Sequence, residues 1–101
     1  MDTAHIKQIL LEELQAYTGK GLNAYSYLTS NEAEQIYSVI DIATIHNKRI
    51  VSNVLIVRLL GDSIVIELDY NDKSLASALL ARGIPAEHII LAYRGDVVPM
   101  G

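Results

Sequence analysis

Two carboxylates, Glu67 and Asp69, have the spacing that best fits a reactive site in this chain of 101 residues. Both lie in the run S-I-V-I-E-L-D, whose apolar alternation predicts a β-strand. On one face of a strand, two strand rises would separate them by about 7 Å, so they could share a cation or divide the roles of general acid and base. Asp41 is expected to approach Asp69 across the sheet.

A solvated strand face is the simpler interpretation of these carboxylates. Arg58 is predicted to lie diagonally opposite Glu67 as a weak partner, and no third fixed ligand converges on the pair. The histidines His5, His46 and His88 are spread over a helix, a turn and the start of a strand, without the spacing of a zinc site. A Gly-x-Ser-x-Gly nucleophile elbow is also lacking. The sequence therefore predicts no catalytic residue, no cofactor and no metal site.

Composition and charge narrow the possible surroundings and partners. The chain has no cysteine, which fits a reducing cytoplasm. Its first residues lack the basic and then apolar pattern of a signal peptide, and its longest apolar run, 50–60, is too short to cross a bilayer as a helix. The net charge of -4 opposes non-specific binding to phosphate backbones. We therefore expect one cytoplasmic domain over residues 1–101, with no membrane association and only indirect contact with DNA.

Periodic apolar residues predict two helices. The first extends from about Thr3, its predicted N-cap, to Tyr17. The segment 19–31 is rich in Gly, Asn, Ser, Thr and Tyr without a sustained period, so a loop is predicted there. Asp72 is the predicted N-cap of the second helix, and Gly83 with Ile84 predicts a Schellman-type end before a strand over 88–94.

Turn residues set the predicted register of three strands. A turn at Gly61-Asp62 pairs Leu59 with Ile64 and Val57 with Ile66. A preceding turn at Asn47-Lys48 then defines one wholly apolar face of the three strands. The residues predicted on that face are Ile36, Ile40, Ile42, Leu55, Val57, Leu59, Ile64, Ile66 and Leu68.

The fold class that follows is α+β, a two-layer sandwich with the order α-β-β-β-α-β. A strand, a crossover helix and a returning strand normally form a right-handed parallel unit. The sequence thus predicts a mixed four-stranded sheet with both helices on its apolar face.

The sheet face away from the helices is predicted to stay uncovered. Apolar side chains there are mixed with a few charges, a composition typical of an interaction site. We expect a homodimer or another protein partner at this face. The candidate interface residues are Tyr37, Val39, Val54, Ile56, Arg58, Val65 and Glu67.

The segment 83–91, G-I-P-A-E-H-I-I-L, resembles the XisI family, the cyanobacterial fdxN element excision controlling factors. The likeness is clearest over residues 50–94, and the whole element order fits the family. Ile56 and Arg58 stand where the family usually has His and Asp, and Asp69-Tyr70-Asn71 replaces its D-G-T segment. Residues 95–99, G-D-V-V-P, replace its Pro-Pro-Glu and Arg. The chain is thus similar to a divergent or shortened member.

The resemblance implies a non-enzymatic accessory factor for site-specific excision of a DNA element, with a nuclease-like XisH-type protein as partner. It carries over no catalytic residue. An antitoxin-like inhibitor of a nuclease-like neighbour is an alternative that the sequence does not separate from an excision factor. A small metal-binding or ligand-binding enzyme that uses Glu67 and Asp69 is the alternative from another class.

Overall fold

The first helix, α1, spans Thr3–Gln15 and buries its apolar stripe. Its N-cap is Asp2 rather than the predicted Thr3, because the Asp2 carboxylate accepts the N–H of His5 at 2.8 Å. The computed structural model describes residues 1–99. The buried residues of α1 are Ile6, Ile9, Leu10 and Leu14.

Six strands form one sheet in chain order, and all neighbours are antiparallel except the last pair, which is parallel. The predicted four-stranded sheet and its element order were therefore wrong, although the α+β class holds. The strands are β1 (Gly19–Lys20), β2 (Ala24–Asn31), β3 (Ile36–Ile45), β4 (Lys48–Leu60), β5 (Ser63–Asp69) and β6 (Ile89–Leu91).

The two additional strands, β1 and β2, occupy the segment that was predicted to be a loop. Tyr25, Tyr27 and Thr29 alternate along β2 with smaller or aliphatic side chains, and such residues favour extended backbone. Only Leu28 packs against the core from this strand. Sequence periodicity missed β2 because its stabilisation comes from pairing along its whole length with β3.

The hairpin of β4 and β5 has the predicted register, with Leu59 opposite Ile64 and Val57 opposite Ile66. The hairpin of β3 and β4 does not have the register that the sequence predicted. Its turn residues are His46 and Asn47, with φ of 51° and 63°, as a primed two-residue turn requires. The predicted turn was one residue too late, which moves every pairing by two residues but leaves even-numbered residues of β3 opposite odd-numbered residues of β4, as Ile42 and Val51 show.

Tyr37 and Val39 lie in the core, fully buried opposite Val57 and Leu55, because a bulge in β4 at Val54 shifts the pairing by one residue between them and the turn. The prediction that they belong to an uncovered face was wrong. Ile36, Ile40 and Ile42, which were predicted to be in the core, lie on the opposite face of β3 and are only partly buried.

Two β-bulges also change the predicted faces. Val39 pairs with Leu55 and Ile40 with Asn53, which leaves Val54 as the extra residue of β4. In the same way, Glu67 is the extra residue of β5, because Val57 pairs with Ile66 and Ile56 with Leu68. Leu68 consequently lies opposite Ile56, away from the helices, rather than in the core as predicted.

The second helix, α2, spans Leu75–Ala81 and connects β5 to its parallel neighbour β6. Its N-cap is Ser74, whose hydroxyl accepts the N–H of Ser77, and not the predicted Asp72. The predicted Schellman end is confirmed, since Gly83 has φ of 90° and the N–H of Ile84 donates to the carbonyl of Leu79.

Both helices pack on the same face of the sheet around one apolar cluster. Arg82, the C-cap residue of α2, joins them by ion pairs to Glu12 and Glu13 of α1, with N to O distances of 2.6 and 2.8 Å. We call the other face, which no helix covers, the outer face. Within residues 1–99, neither helix is long and apolar enough to cross a membrane.

Tyr17 links the end of α1 to the start of α2, because its hydroxyl donates to the carbonyl of Lys73 at 2.8 Å. Burial, followed by the charges of Asp69 and Glu13, raises the pKa of Tyr17 to about 12 from an ordinary value of 10.0. The neutral phenol therefore stabilises the fold fully below about pH 10, and this contribution is lost as the pH rises through about 12.

Replacing Tyr17 tests this link. Tyr17→Phe should lower the free energy of unfolding by about 1 kcal/mol at neutral pH, because the hydrogen bond is lost. The variant should also lose less stability than the wild type between about pH 10 and 12. Urea unfolding at several pH values measures both effects. Tyr70→Phe, at a side chain that is 75% exposed, is the matched control. Equal pH dependence of wild type and Tyr17→Phe would refute the assignment.

Candidate functional site

The outer face is the surface of the sheet that neither α1 nor α2 covers. Ile36, Ile40 and Ile42 of β3 lie there beside Ile56 of β4 and Leu68 of β5, all partly buried. At the far end of the sheet the face is more exposed, since Tyr25, Tyr27 and Val51 are 44%, 48% and 61% accessible. An apolar sheet face that no element covers is typical of a contact surface.

The predicted interface residues fall into two groups. Tyr37 and Val39 are core residues, and Val54 sits at the bulge and packs against the core. The other four predicted residues have their side chains on the outer face or at its ion pair. These are Ile56, Arg58, Val65 and Glu67, but Val65 has no accessible surface, so the prediction that it contacts a partner was wrong.

Arg58 and Glu67 form the ion pair that the sequence predicted, with Nε and Oε2 separated by 2.8 Å. Arg58 lies opposite Val65 in the sheet, and Val65 is fully buried. Because both charged side chains remain partly exposed, this pair contributes less than about 1 kcal/mol to stability. Its main effect is to place a charge pair among the apolar residues of the outer face.

Asp69 does not share this face with Glu67, so their predicted arrangement was wrong. The bulge at Glu67 places Asp69 opposite the core residue Leu55, on the side of the helices. There the Asp69 carboxylate accepts the N–H of Leu75 at 2.9 Å and the backbone N–H of Asn71 at 3.0 Å. Asp69 thus holds the start of α2 and cannot pair with Glu67 around one cation.

Asp41 is also separate from Asp69. It accepts a hydrogen bond from the hydroxyl of Ser26 and lies opposite Ser52, not near the β5 end. His88 has one carboxylate near it, with Nδ1 at 3.5 Å from Oδ2 of Asp62. Among residues 1–99, no three His, Asp or Glu side chains come close enough to hold a metal ion.

An open pocket lies at the far end of the sheet, where β1, β2 and the tip of the β3–β4 hairpin meet. Its volume is about 340 Å³. Tyr25 and Tyr27 stack in its wall with ring centroids 5.9 Å apart, and the Lys20 ammonium lies 5.5 Å from the Tyr25 ring. Arg49 completes the rim. The stacked rings leave no gap wide enough for a planar base between them.

Charge is distributed unevenly over the sheet. Residues 19–25 and 42–51 contain Lys20, Lys48 and Arg49 and no carboxylate, although the whole chain has a net charge of -4. Lys7, Arg58 and Arg82 are in ion pairs, whereas the three cations of the far end have no ion pair with any residue that the structure describes. The far end is therefore a basic region of an acidic protein.

The contribution of β2 to the outer face was missed from the sequence. Tyr25, Tyr27 and Thr29 belong to that face, because they lie opposite Ile42, Ile40 and Ser38. The alternation Y-S-Y-L-T was the available signal, since aromatic and β-branched residues at every second position favour a strand. Gly19, Gly21 and Asn23 directly before this stretch are typical of loops, and they led to the prediction of a loop over the whole segment.

A helix, an antiparallel meander of five strands and a parallel β-α-β end define a small α+β protein with an uncovered sheet face. The protein belongs to the XisI family, because the family described as "XisI protein" matches residues 2–98. The resemblance predicted from residues 83–91 is thereby confirmed. A comparison with curated protein sequences finds no match.

Two crystal structures of proteins from Anabaena variabilis ATCC 29413 share this fold. A XisI-like protein is 18% identical, with a TM-score of 0.67 over 88% of this chain and 81% of that one. The fdxN element excision controlling factor XisI is 22% identical, with a TM-score of 0.60 over 87% and 79% of the two chains. At these identities the likeness establishes a common fold.

The two carboxylates that looked alike in the sequence should differ in their effect on stability. Asp69→Ala should cost about 2–3 kcal/mol in the free energy of unfolding, because it removes the acceptor of backbone N–H groups at the start of α2. Glu67→Ala is the matched control and should cost less than about 1 kcal/mol. Urea unfolding of both variants measures the difference. Equal costs would contradict the structural role of Asp69.

Proposed function

We propose that this protein is a non-enzymatic factor that regulates excision of a DNA element by binding a nuclease-like protein. The family match over residues 2–98 supports a role in excision control, and a structural neighbour carries the name of such a controlling factor. The single observation that carries the binding mode is the uncovered apolar outer face. A protein partner fits this face better than DNA does.

The chemistry of the outer face supports this choice of partner. Its centre holds isoleucine side chains around Ile40 and Ile56, with one neutralising pair between Arg58 and Glu67. Binding to the DNA backbone requires several cations that neutralise phosphates, and their number sets the affinity. The centre of this face has only Arg58, which Glu67 already neutralises, so burial of apolar area is the available driving force.

A catalytic role finds less support in the same geometry. Glu67 is committed to Arg58, and Asp69 to the backbone of the β5–α2 turn. A general acid or base must reach the proton that it transfers, and these carboxylates lie on opposite sides of the sheet. The proposal therefore assigns the activity to the partner and its control to this protein.

Substitution at the centre of the outer face tests the partner site. Ile56→Asp, and Val51→Asp at the more exposed end, should weaken binding of a XisH-type nuclease-like protein at least about tenfold, because each places a charge in an apolar contact. Val97→Asp, on a tail residue that is 87% exposed, is the matched control and should bind like the wild type. Calorimetric titration gives the dissociation constants.

Two results would overturn the proposal. One is binding by Ile56→Asp and Val51→Asp as tight as that of Val97→Asp, with circular dichroism showing that all three are folded. The other is the absence of any complex between the wild-type protein and the nuclease-like protein. If a complex forms, its nuclease activity separates the two regulatory roles, since an antitoxin-like inhibitor abolishes cleavage and an excision factor directs it to the element ends.

A further inference from the structure

The two edges of the sheet differ in how many of their backbone N–H and carbonyl groups have hydrogen-bond partners within the chain. At the β6 edge, the N–H of Ile89 donates to the carbonyl of Ala86. The N–H of Leu91 donates to the Asp96 carboxylate at 2.8 Å, and the N–H of Asp96 returns to the carbonyl of Leu91 at 3.2 Å. The N–H groups of Ile89 and Leu91 and the carbonyl of Leu91 are therefore occupied, which hinders the pairing of another strand at this edge.

The opposite edge, at β2, is covered only at its beginning. The two residues of β1 pair with Tyr25 and Ser26 and go no further. The carbonyl of Asn23 accepts the N–H of Thr44, and the carbonyl of Ala24 accepts the N–H of Gly21 on the other side. Backbone groups alternate in direction along a strand, so the odd-numbered residues of β2 bond to β3 and the even-numbered ones point to the edge.

Leu28 and Ser30 are the even-numbered residues that lie beyond β1. Their N–H and carbonyl groups point outward and have no strand partner among residues 1–99. The stretch L-T-S-N contains no proline, no charge and no bulge, which are the features that usually protect an edge. The edge at 28–31 is therefore open and regular.

We propose that this edge pairs with the same edge of a second copy of the chain. In the antiparallel arrangement a two-fold axis passes beside Thr29, so that Leu28 of each copy lies opposite Ser30 of the other. Both N–H groups and both carbonyls of each copy then gain partners. The two sheets become one continuous sheet, and the outer faces remain free for another protein.

The chain segments at the two ends of the paired β2 strands leave room for the second copy and carry charges that suit it. Beyond Asn31 the chain turns toward β3, with the N–H of Gln35 bonded to the carbonyl of Glu32, so it leaves space for the β1 strand of the other copy. The turn that carries Glu34 in one copy then lies next to Lys20 of the other, whereas Glu32 of the same turn is already paired with Lys7 of its own chain. Opposite charges at both ends favour this register.

A cysteine at the two-fold axis tests the geometry directly, because the chain has no cysteine of its own. Thr29 would face Thr29 of the other copy as a non-hydrogen-bonded pair, with Cα atoms about 4.5 Å apart, within the range of a disulfide. Thr29→Cys should form a disulfide-linked dimer under mild oxidation at least about tenfold faster than Asn31→Cys. The control residue is on the same strand and the same face, but off the axis.

A second pair of variants tests the edge without a crosslink. Ser30→Pro removes an N–H that points to the edge, and proline is tolerated at such a position. Light scattering should give twice the monomer mass for the wild type and for Ser30→Ala, and the monomer mass for Ser30→Pro. Ile56→Asp should remain dimeric, so failure of the outer-face proposal and failure of this one can be distinguished.

Three outcomes would overturn the proposed pairing. The first is a wild-type protein that stays monomeric at hundreds of micromolar. The second is crosslinking of Thr29→Cys no faster than that of Asn31→Cys, which holds even if Ser30→Pro fails to fold. The third is a dimer that dissociates in Ile56→Asp and persists in Ser30→Pro, because the outer face would then be the contact between copies.

Discussion

The Asp69 carboxylate holds the junction on which the two layers depend. It accepts N–H groups from Asn71 and Leu75, and the Asn71 side chain in turn donates to the carbonyl of Val54 at 3.0 Å. The Asp69 and Asn71 side chains together connect the end of β5, the first turn of α2 and the bulge of β4.

Much of this arrangement could be predicted from local signals. Gly61 marks the β4–β5 turn, and its φ of 61° agrees with the primed turn that the sequence indicated. Gly83 and Ile84 end α2 as predicted, and the parallel pairing of β6 with β5 follows from the handedness of the β-α-β unit. These features depend on residues that are close in sequence or on chain topology, so one sequence was sufficient.

The remaining features depend on contacts that local patterns do not record. His46 and Asn47 form the β3–β4 turn with left-handed backbone, and the neighbouring pair Asn47-Lys48 looked equally suitable. Both strand faces of β3 are apolar, so nothing in its pattern distinguished Tyr37 and Val39 from the isoleucines beside them. The bulge at Val54, which no sequence signal marked, exchanged the faces of β3 and so moved two core residues into the predicted interface. The bulge at Glu67 likewise put Asp69 on the helix side of the sheet instead of beside Glu67. A two-sided apolar strand cannot fix its own register.

The two hydrogen bonds between Asp96 and the backbone of Leu91, here called the Asp96 clamp, leave the β2 edge as the edge of the sheet that is open to pairing. A sheet with two open edges can add copies without limit and form fibres, whereas a sheet with one open edge is saturated by a single pairing. The clamp uses one carboxylate and one backbone N–H from the segment that follows β6. Under the proposed pairing of the β2 edge, these few residues after the last strand limit assembly along the sheet to a dimer.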